Sequence, residues 1–140
     1  MAGLVPTRST NADIRDYTWL GSAADVEYAH SATLHYASLN AAGTHKLENW
    51  VKSGTPLGEI TATGATKGQM GLYDPAATDG RQNHVGFLMA EIQLQDAVNG
   101  SANTPLSGAI LLRGMIQTNR LPVTFDPAAA GASKNFIYKK

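Results

Sequence analysis

The sequence predicts a mainly β fold with one short C-terminal helix. Seven of the chain's 14 glycines lie between residues 53 and 89. Glycine adopts the positive φ of tight turns at little steric cost, and short apolar pieces at residues 57–60 and 85–89 alternate with these glycines. Residues 85–95 also alternate broadly between the two faces of a strand. Together these patterns predict strands separated by sharp turns, and no part of the stretch indicates a catalytic pocket.

The composition is that of one globular domain. The chain has 140 residues, of which 43% are hydrophobic and 16% charged. Because 11 basic residues balance 11 acidic ones without a basic cluster, nothing favours nucleic acid or an anionic membrane as partner. The absence of cysteine excludes disulfides, thiolate metal sites and thiol catalysis. We find no long apolar run and no basic-then-apolar leader, so neither a membrane span nor a signal peptide is expected.

Residues 1–38 differ from the rest of the chain in their pattern of apolar residues. Their apolar residues are isolated and follow no sustained period, and Pro6 and Gly21 interrupt any long element. One interpretation is a flexible tail. The other is an arm that becomes ordered only on a partner, since Tyr17 and Trp19 are costly to leave exposed without a use.

The next segments carry short strand and turn signals. Leu34 and Tyr36 hint at an alternating strand, and residues 45–51 contain two anchors, Leu47 and Trp50, with spacing that fits either a helical turn or an irregular strand. A strand is predicted around residues 57–63 because of its β-branched residues. A turn-rich connection over 64–71 follows, and residues 73–80 contain Asp-Pro and Asp-Gly, which are both turn signals.

The second half is predicted as a long hairpin followed by a small helix and a strand. Residues 85–95 and 108–117 form the two strands, joined by a loop that contains Asn99-Gly100. Asp126 is a candidate N-cap with Pro127 at the first helical position, which predicts a helix of one or two turns. Residues 136–138 are predicted to form a terminal strand.

Candidate chemistry is sparse. The four histidines, at positions 30, 35, 45 and 84, include no pair with the i, i+4 spacing of a helical zinc site, so no metal site is expected. There is no nucleophile elbow, and residues 64–68 lack the ending of a phosphate loop. Asp74 and Asp79 resemble a carboxylate pair less than they resemble turn residues that bind their own backbone. We therefore expect no cofactor and no enzymatic activity.

Three segments together resemble a known family. They are Ser53-Gly-Thr-Pro-Leu-Gly-Glu-Ile-Thr61, Leu72-Tyr-Asp-Pro-Ala-Ala-Thr-Asp-Gly-Arg-Gln82 and Val85-Gly-Phe-Leu88. They are similar to the lambda-type bacteriophage head decoration (capsid-stabilising) proteins, in which a G-x-x-L-G-x-x-T strand precedes Y-D-P-A-A-x-D-G-x-Q and an apolar x-G-x-L strand. Residues 109–116, 121–122, 126–130 and 136–138 continue the likeness, which covers about residues 47–138. The Tyr-Asp-Pro-Ala-Ala-Thr-Asp-Gly block is its most specific part.

The resemblance implies a β-tulip domain, residues 39–140, preceded by an extended capsid-binding arm, residues 1–38. It implies a non-enzymatic cement protein whose homotrimers bind the major capsid protein at threefold and quasi-threefold positions. The expected location is the virion, on the outer surface of the expanded capsid, where the protein stabilises the head against DNA pressure. Neither nucleic acid nor a membrane is an expected partner.

Two groups of residues follow as predictions. The arm residues predicted to contact the shell are Leu4, Val5, Pro6, Ile14, Tyr17, Trp19 and Leu20. The residues predicted to maintain the scaffold are Gly58, Tyr73, Asp74, Pro75, Asp79, Gly80 and Gly86. Two alternatives are kept: a small β-barrel enzyme or ligand-binding module with a pocket rimmed by residues 64–84, and a carbohydrate-binding module displayed on a virion.

Overall fold

The structure, a computed structural model, describes residues 16–22, 29–94 and 105–139. Within these ranges the chain is mainly β, as the sequence predicts. Its elements in chain order are β1 (Ala29–His35), α1 (Tyr36–Leu39), β2 (Lys46–Leu47), β3 (Trp50–Val51), β4 (Pro56–Glu59), β5 (Met70–Leu72), β6 (His84–Leu88), β7 (Ile92–Gln93), β8 (Pro105–Leu111), β9 (Gly114–Gln117), a 3-10 helix (Thr118–Arg120) and β10 (Phe136–Lys139).

Five strands close into a barrel in the order β1-β5-β4-β6-β8. β1 pairs antiparallel with β8 along its whole length, from Ala29 opposite Leu111 to His35 opposite Pro105. β4 lies between β5 and β6 and pairs antiparallel with both. The barrel encloses an apolar cluster whose fully buried members include Leu34, Leu57 and Leu88.

Two smaller sheets flank the barrel. β2 and β3 form a tight hairpin, with Glu48 at φ 55°, and β7 pairs with β3. Residues 45–51 are therefore strand and turn rather than helix. β9 and β10 pair in parallel, and a second apolar cluster that includes Trp19, Phe87, Phe125 and Phe136 lies beneath them.

The predicted boundary between residues 38 and 39 is corrected by the structure. β1 and α1 precede that boundary, yet β1 is a barrel strand and both Leu34 and Leu39 are fully buried. Residues 19–21 also bind the domain, through backbone hydrogen bonds to β9. The folded domain thus includes residues 16–22 and 29–38, which the sequence assigns to the arm.

The predicted hairpin is shorter than expected. β6 ends at Leu88 and meets β8 only at Phe87 opposite Leu111 and Leu88 opposite Ile110. The remainder of β8 pairs with β1, and the chain after β6 continues to β7 in another sheet. The antiparallel pairing itself is confirmed.

The predicted C-terminal helix is wrong, because residues 127–132 form turns. The Asp126 carboxylate does accept a hydrogen bond from the Ala128 N–H at 2.9 Å, as an N-cap would. The Gly131 carbonyl, however, accepts from the His84 N–H at 2.7 Å, which ties this segment to β6 instead of to a following helical turn. The predicted terminal strand is confirmed as β10.

Candidate functional site

Three glycines of the predicted scaffold group lie where two backbones nearly touch. A Cβ added to Gly58 would lie 2.6 Å from the Arg81 carbonyl oxygen, and one added to Gly80, at φ +115°, would lie 2.5 Å from the Glu59 carbonyl oxygen. A Cβ on Gly86 would collide with the Leu111 carbonyl oxygen. These contacts join β4, β6, β8 and the connection before β6, so they support the predicted scaffold role.

The two aspartates of the same group are turn residues. Asp74 accepts a hydrogen bond from the Ala76 N–H at 2.9 Å, while Pro75 beside it is exposed. Asp79 binds the Arg81 side chain at 3.1 Å, and its carbonyl accepts from the Thr61 N–H at 2.8 Å. Burial tends to raise the pKa of the Asp79 carboxyl, but hydrogen bonds from the Arg81 N–H and guanidinium outweigh it and lower that pKa. The interpretation of both residues as turn formers is confirmed.

His84 lies in an aromatic cluster at the start of β6. Its ring is 4.6 Å from that of Phe87 and 4.7 Å from that of Phe125, centroid to centroid. Nδ1 accepts a hydrogen bond from the Ser133 N–H at 3.2 Å, which fixes the neutral tautomer with the proton on Nε2. Burial lowers the His84 pKa to about 4. Sequence reasoning missed this residue, since nothing local marks a histidine as buried.

Tyr73 faces the same cluster. Its ring lies 5.4 Å from that of His84, and burial raises its pKa, as do the charges of Asp126 and Asp74. Neither the Tyr73 hydroxyl nor His84 Nε2 has a hydrogen-bond partner within the described ranges. Two buried polar atoms thus lie among aromatic rings. This environment strongly disfavours protonation of the His84 ring or ionisation of the Tyr73 hydroxyl.

Trp19 is anchored in the core rather than displayed on an arm. It is fully buried, its Nε1 donates to the Ser53 hydroxyl at 3.0 Å, and that hydroxyl donates to the Met89 carbonyl at 2.9 Å. The Gln117 N–H also donates to the Trp19 carbonyl at 2.7 Å. The predicted shell contact by Trp19 is therefore corrected, because the side chain cannot reach a partner without leaving the core.

The other predicted arm residues divide into two sets. Tyr17 is 41% exposed and its hydroxyl donates to Glu91 at 2.8 Å, while Leu20 is half-buried and bridges Ile116 of β9. The remaining four lie outside the described residues: Leu4, Val5, Pro6 and Ile14. Of the predicted contact group, Tyr17 is thus the described member with an exposed ring.

A cavity of about 530 Å³ opens where β1, α1 and the connection after β5 meet; it is lined in part by His35, Ser38, Asp74 and Arg81. His35 Nδ1 lies 3.0 Å from the Ser38 hydroxyl, which also accepts from the Leu72 N–H at 3.1 Å. Burial lowers the His35 pKa, and the Arg81 charge lowers it further while Asp79 opposes. Ser38 is buried and braces α1 against β5. The charged groups at this cavity are the Arg81 guanidinium, which also binds Asp79, and the Asp74 carboxylate.

No spacing signal could have found this group. His35 and Arg81 are 46 positions apart, and the parallel contact of β1 with β5, Leu34 opposite Met70, brings their segments together.

In residues 16–22, 29–94 and 105–139, no three His, Asp or Glu side chains are placed to share a metal ion. In the same part of the chain, no helix has the length and apolar character needed to cross a membrane.

Comparisons with protein-family models, with curated proteins and with solved structures gave no match.

Proposed function

We propose that this protein is a capsid decoration protein of the lambda type, with a β-tulip domain. It binds the outside of the expanded phage head as trimers and holds adjacent capsomers together against packaged DNA. The observation that carries the proposal is that the segments that resemble the family lie next to one another in the barrel. The first three of these segments lie on β4, on Leu72 at the end of β5 with the connection that follows, and on β6, and β4 pairs with both of these strands. The matched residues thus form one continuous part of the barrel.

The geometry of the signature residues fits a shape-holding role. Gly58, Gly80 and Gly86 allow backbone contacts that any side chain would block, and Asp79 ties its turn to Thr61 and Arg81. A cement protein has to transmit force between neighbouring subunits, so its usefulness depends on a barrel that does not deform. These contacts supply that rigidity without a catalytic group.

Residues 19–21, which bind β9, would attach the arm firmly to the domain. Trp19 is buried and residues 19–21 bind β9, so a pull on residues 1–15 would be transmitted directly to the core. Fifteen residues reach about 50 Å when fully extended, enough to cross to a neighbouring subunit. Strand addition by such an arm gives affinity through main-chain hydrogen bonds, and three arms on one trimer raise the effective concentration of the second and third contacts.

Two truncations test the proposal. Removal of residues 1–15 should leave a folded protein that no longer co-sediments with undecorated expanded heads, whereas removal of residues 1–22 should also destabilise the domain, because Trp19 is lost. A full-length control in which Leu4, Val5 and Ile14 are replaced by Ser keeps the chain length and should bind as poorly as the shorter truncation. Full binding by the 1–15 truncation would contradict the arm, and no binding by the intact protein would contradict the decoration role.

Trimer formation has a separate measurement. The mass of the purified protein in solution, compared with its stoichiometry per capsomer on empty expanded heads, distinguishes a trimer formed beforehand from one assembled on the shell. One copy per capsomer on the heads, or a number of copies that does not correspond to three at each threefold and quasi-threefold position, would contradict the trimer.

The cavity at His35 and Arg81 favours a second candidate, a module that binds a small polar ligand beside Arg81 and Asp74. A thermal-shift screen of small carboxylates, phosphates, amines and sugars tests it, with Arg81→Gln as the loss-of-site variant and Lys67→Gln, an exposed turn residue, as the matched control. A shift that Arg81→Gln abolishes would favour this candidate. A glycan array with the isolated protein tests the carbohydrate-binding alternative.

A further inference from the structure

The outer edge of β10 has no strand beside it within the described residues. β10 pairs with β9 on one side, and Leu20 bridges Ile116 on the opposite side of β9. Outside that pairing, no backbone–backbone hydrogen bond joins the described chain to residues 136–139, although the Thr118 hydroxyl, just after β9, donates to the Lys139 carbonyl at 3.0 Å. An edge strand presents a row of backbone donors and acceptors at the spacing that another strand needs.

The edge is rigid and has an apolar centre. Phe136 is buried and Tyr138 packs beside Phe125 at 5.5 Å, so alternate residues of β10 are held in the second apolar cluster. Between them Ile137 points outward and is 60% exposed. Because its alternate residues are packed in this cluster, β10 is a formed strand with an available edge rather than a frayed chain end.

Cations surround this apolar centre. Lys134, just before β10, and Lys139, within it, are both exposed, and no Asp or Glu follows Asp126 in the sequence. A cavity of about 400 Å³ lined by His30, Leu112, Arg113 and Asn135 opens at the starts of β9 and β10. The edge is thus apolar in the middle and basic at both ends.

We propose that the β10 edge binds an extended, acidic segment of a partner protein, which adds to the β9-β10 sheet as a further strand. Its backbone pairs with β10, its central apolar side chain covers Ile137, and its carboxylates lie beside Lys134 and Lys139. This mode takes affinity from main-chain hydrogen bonds and specificity from alternate side chains. The inference rests on β10 alone and does not depend on the shell proposal.

The charges argue against a second copy of this chain as the occupant. A symmetric antiparallel pairing centred on Ile137 would place Lys139 of one copy opposite Asn135 of the other, next to Lys134 of that copy. Like charges brought close across two strands are destabilising, and lysines on an edge are a common device against self-pairing. The same lysines attract an acidic strand. They therefore favour an acidic partner and disfavour a second copy of this chain.

A peptide titration of the full-length, isotope-labelled protein tests the inference. The probe is an acetylated and amidated pentapeptide, Glu-Thr-Val-Thr-Glu, which places Glu, Val and Glu on one face of a strand. We expect saturable shifts of the backbone amide signals of residues 136–139 and weaker binding at high salt, since exposed charges are screened. The peptide Lys-Thr-Val-Thr-Lys should not bind, and a version with Pro at both Thr positions should lose binding with the strand geometry.

Matched variants of the protein complete the test. Lys139→Glu should weaken binding of the acidic peptide roughly two- to fivefold, the scale of one exposed charge pair, whereas Lys67→Glu, the same change at an exposed turn, should not. Ile137→Thr keeps strand preference and should also weaken it. Equal binding of the acidic and basic peptides, absence of shifts in β10 at saturating peptide, or concentration-dependent dimerisation through β10 would each overturn the proposal. Near-ultraviolet circular dichroism confirms that every variant is folded.

Discussion

Replacement of His84 by Phe should remove a large part of this protein's sensitivity to acid. The imidazole is 5% exposed, and aromatic rings surround it, among them those of Phe87 and Phe125. Its Nδ1 accepts the Ser133 N–H, so a second ring proton would place two donors against each other. Phe keeps the aromatic packing, cannot be protonated, and removes the acceptor for Ser133 at every pH.

The magnitude follows from the pKa difference between the two states. The pKa of His84 is about 4 in the folded protein, against 6.5 for an ordinary histidine. Above pH 6.5 both states hold the ring neutral, so this group adds no pH dependence to stability. As pH falls from 6.5 towards 4 only the unfolded state takes up the proton, and the free energy of unfolding should drop by about 2 kcal/mol at pH 5 and about 3 kcal/mol at pH 4. Below pH 4 both states are protonated and the loss levels off.

Urea unfolding followed by tryptophan fluorescence measures this at half-unit steps from pH 7.5 to pH 4. The His84→Phe variant should begin less stable at pH 7.5, by about 1–3 kcal/mol for the unpaired Ser133 N–H. The gap to the parent protein should then narrow as pH falls. His30→Gln, at an exposed position of β1, is the matched control. Parallel stability curves for the parent and His84→Phe would refute the reasoning, because His84 would then not be the buried neutral base described.

Two further predictions concern the core and the barrel. Trp19→Ala should cost about 3–5 kcal/mol of unfolding free energy, because it removes a fully buried ring and leaves the Ser53 hydroxyl without its donor, whereas Tyr17→Ala, at an exposed ring, should cost less than about 1 kcal/mol in the same urea assay. Similar costs for the two would contradict the anchor. Gly86→Ala should cost about 3 kcal/mol, the upper end for overpacking, because its methyl group meets the Leu111 carbonyl oxygen. It should lower the melting temperature more than Gly64→Ala, whose methyl group meets nothing and which loses about 1–2 kcal/mol for its positive φ. A Gly86→Ala protein as stable as the parent would show that the two strands separate easily.

The corrected position of Trp19 changes how an arm would operate. A wholly detachable arm could be deleted at any point before the barrel without harm to the fold. With residues 19–21 bound to β9 and Trp19 in the core, the chain up to residue 15 is the part that can be removed without loss of a described core contact. Binding defects of longer truncations would therefore combine lost contact with lost stability.

Local features of the sequence determined the fold class and the turns. The clustered glycines and alternating residues predicted β structure, and Phe136-Ile-Tyr138 predicted the strand that the structure has as β10. The Asp-Pro and Asp-Gly pairs predicted turns, because an aspartate that binds backbone N–H groups two residues away needs no distant partner. Such features depend on neighbours in the chain, so the order of residues alone reveals them.

Tertiary structure alone decided where Trp19, His84 and the segment after Asp126 lie. Trp19 is buried because it packs against distant residues such as Phe87, and Ser53, 34 positions away, accepts a hydrogen bond from its Nε1–H. His84 is neutral because a loop 49 positions away closes over it. The N-cap signal at Asp126 gave a turn instead of a helix, since the Gly131 carbonyl bonds to β6. A one- or two-turn helix is marginal in water, and a single well-placed long-range hydrogen bond is enough to replace it. Each outcome depends on a segment that is far away in the sequence but close in the folded protein, and only the tertiary structure brings the two together.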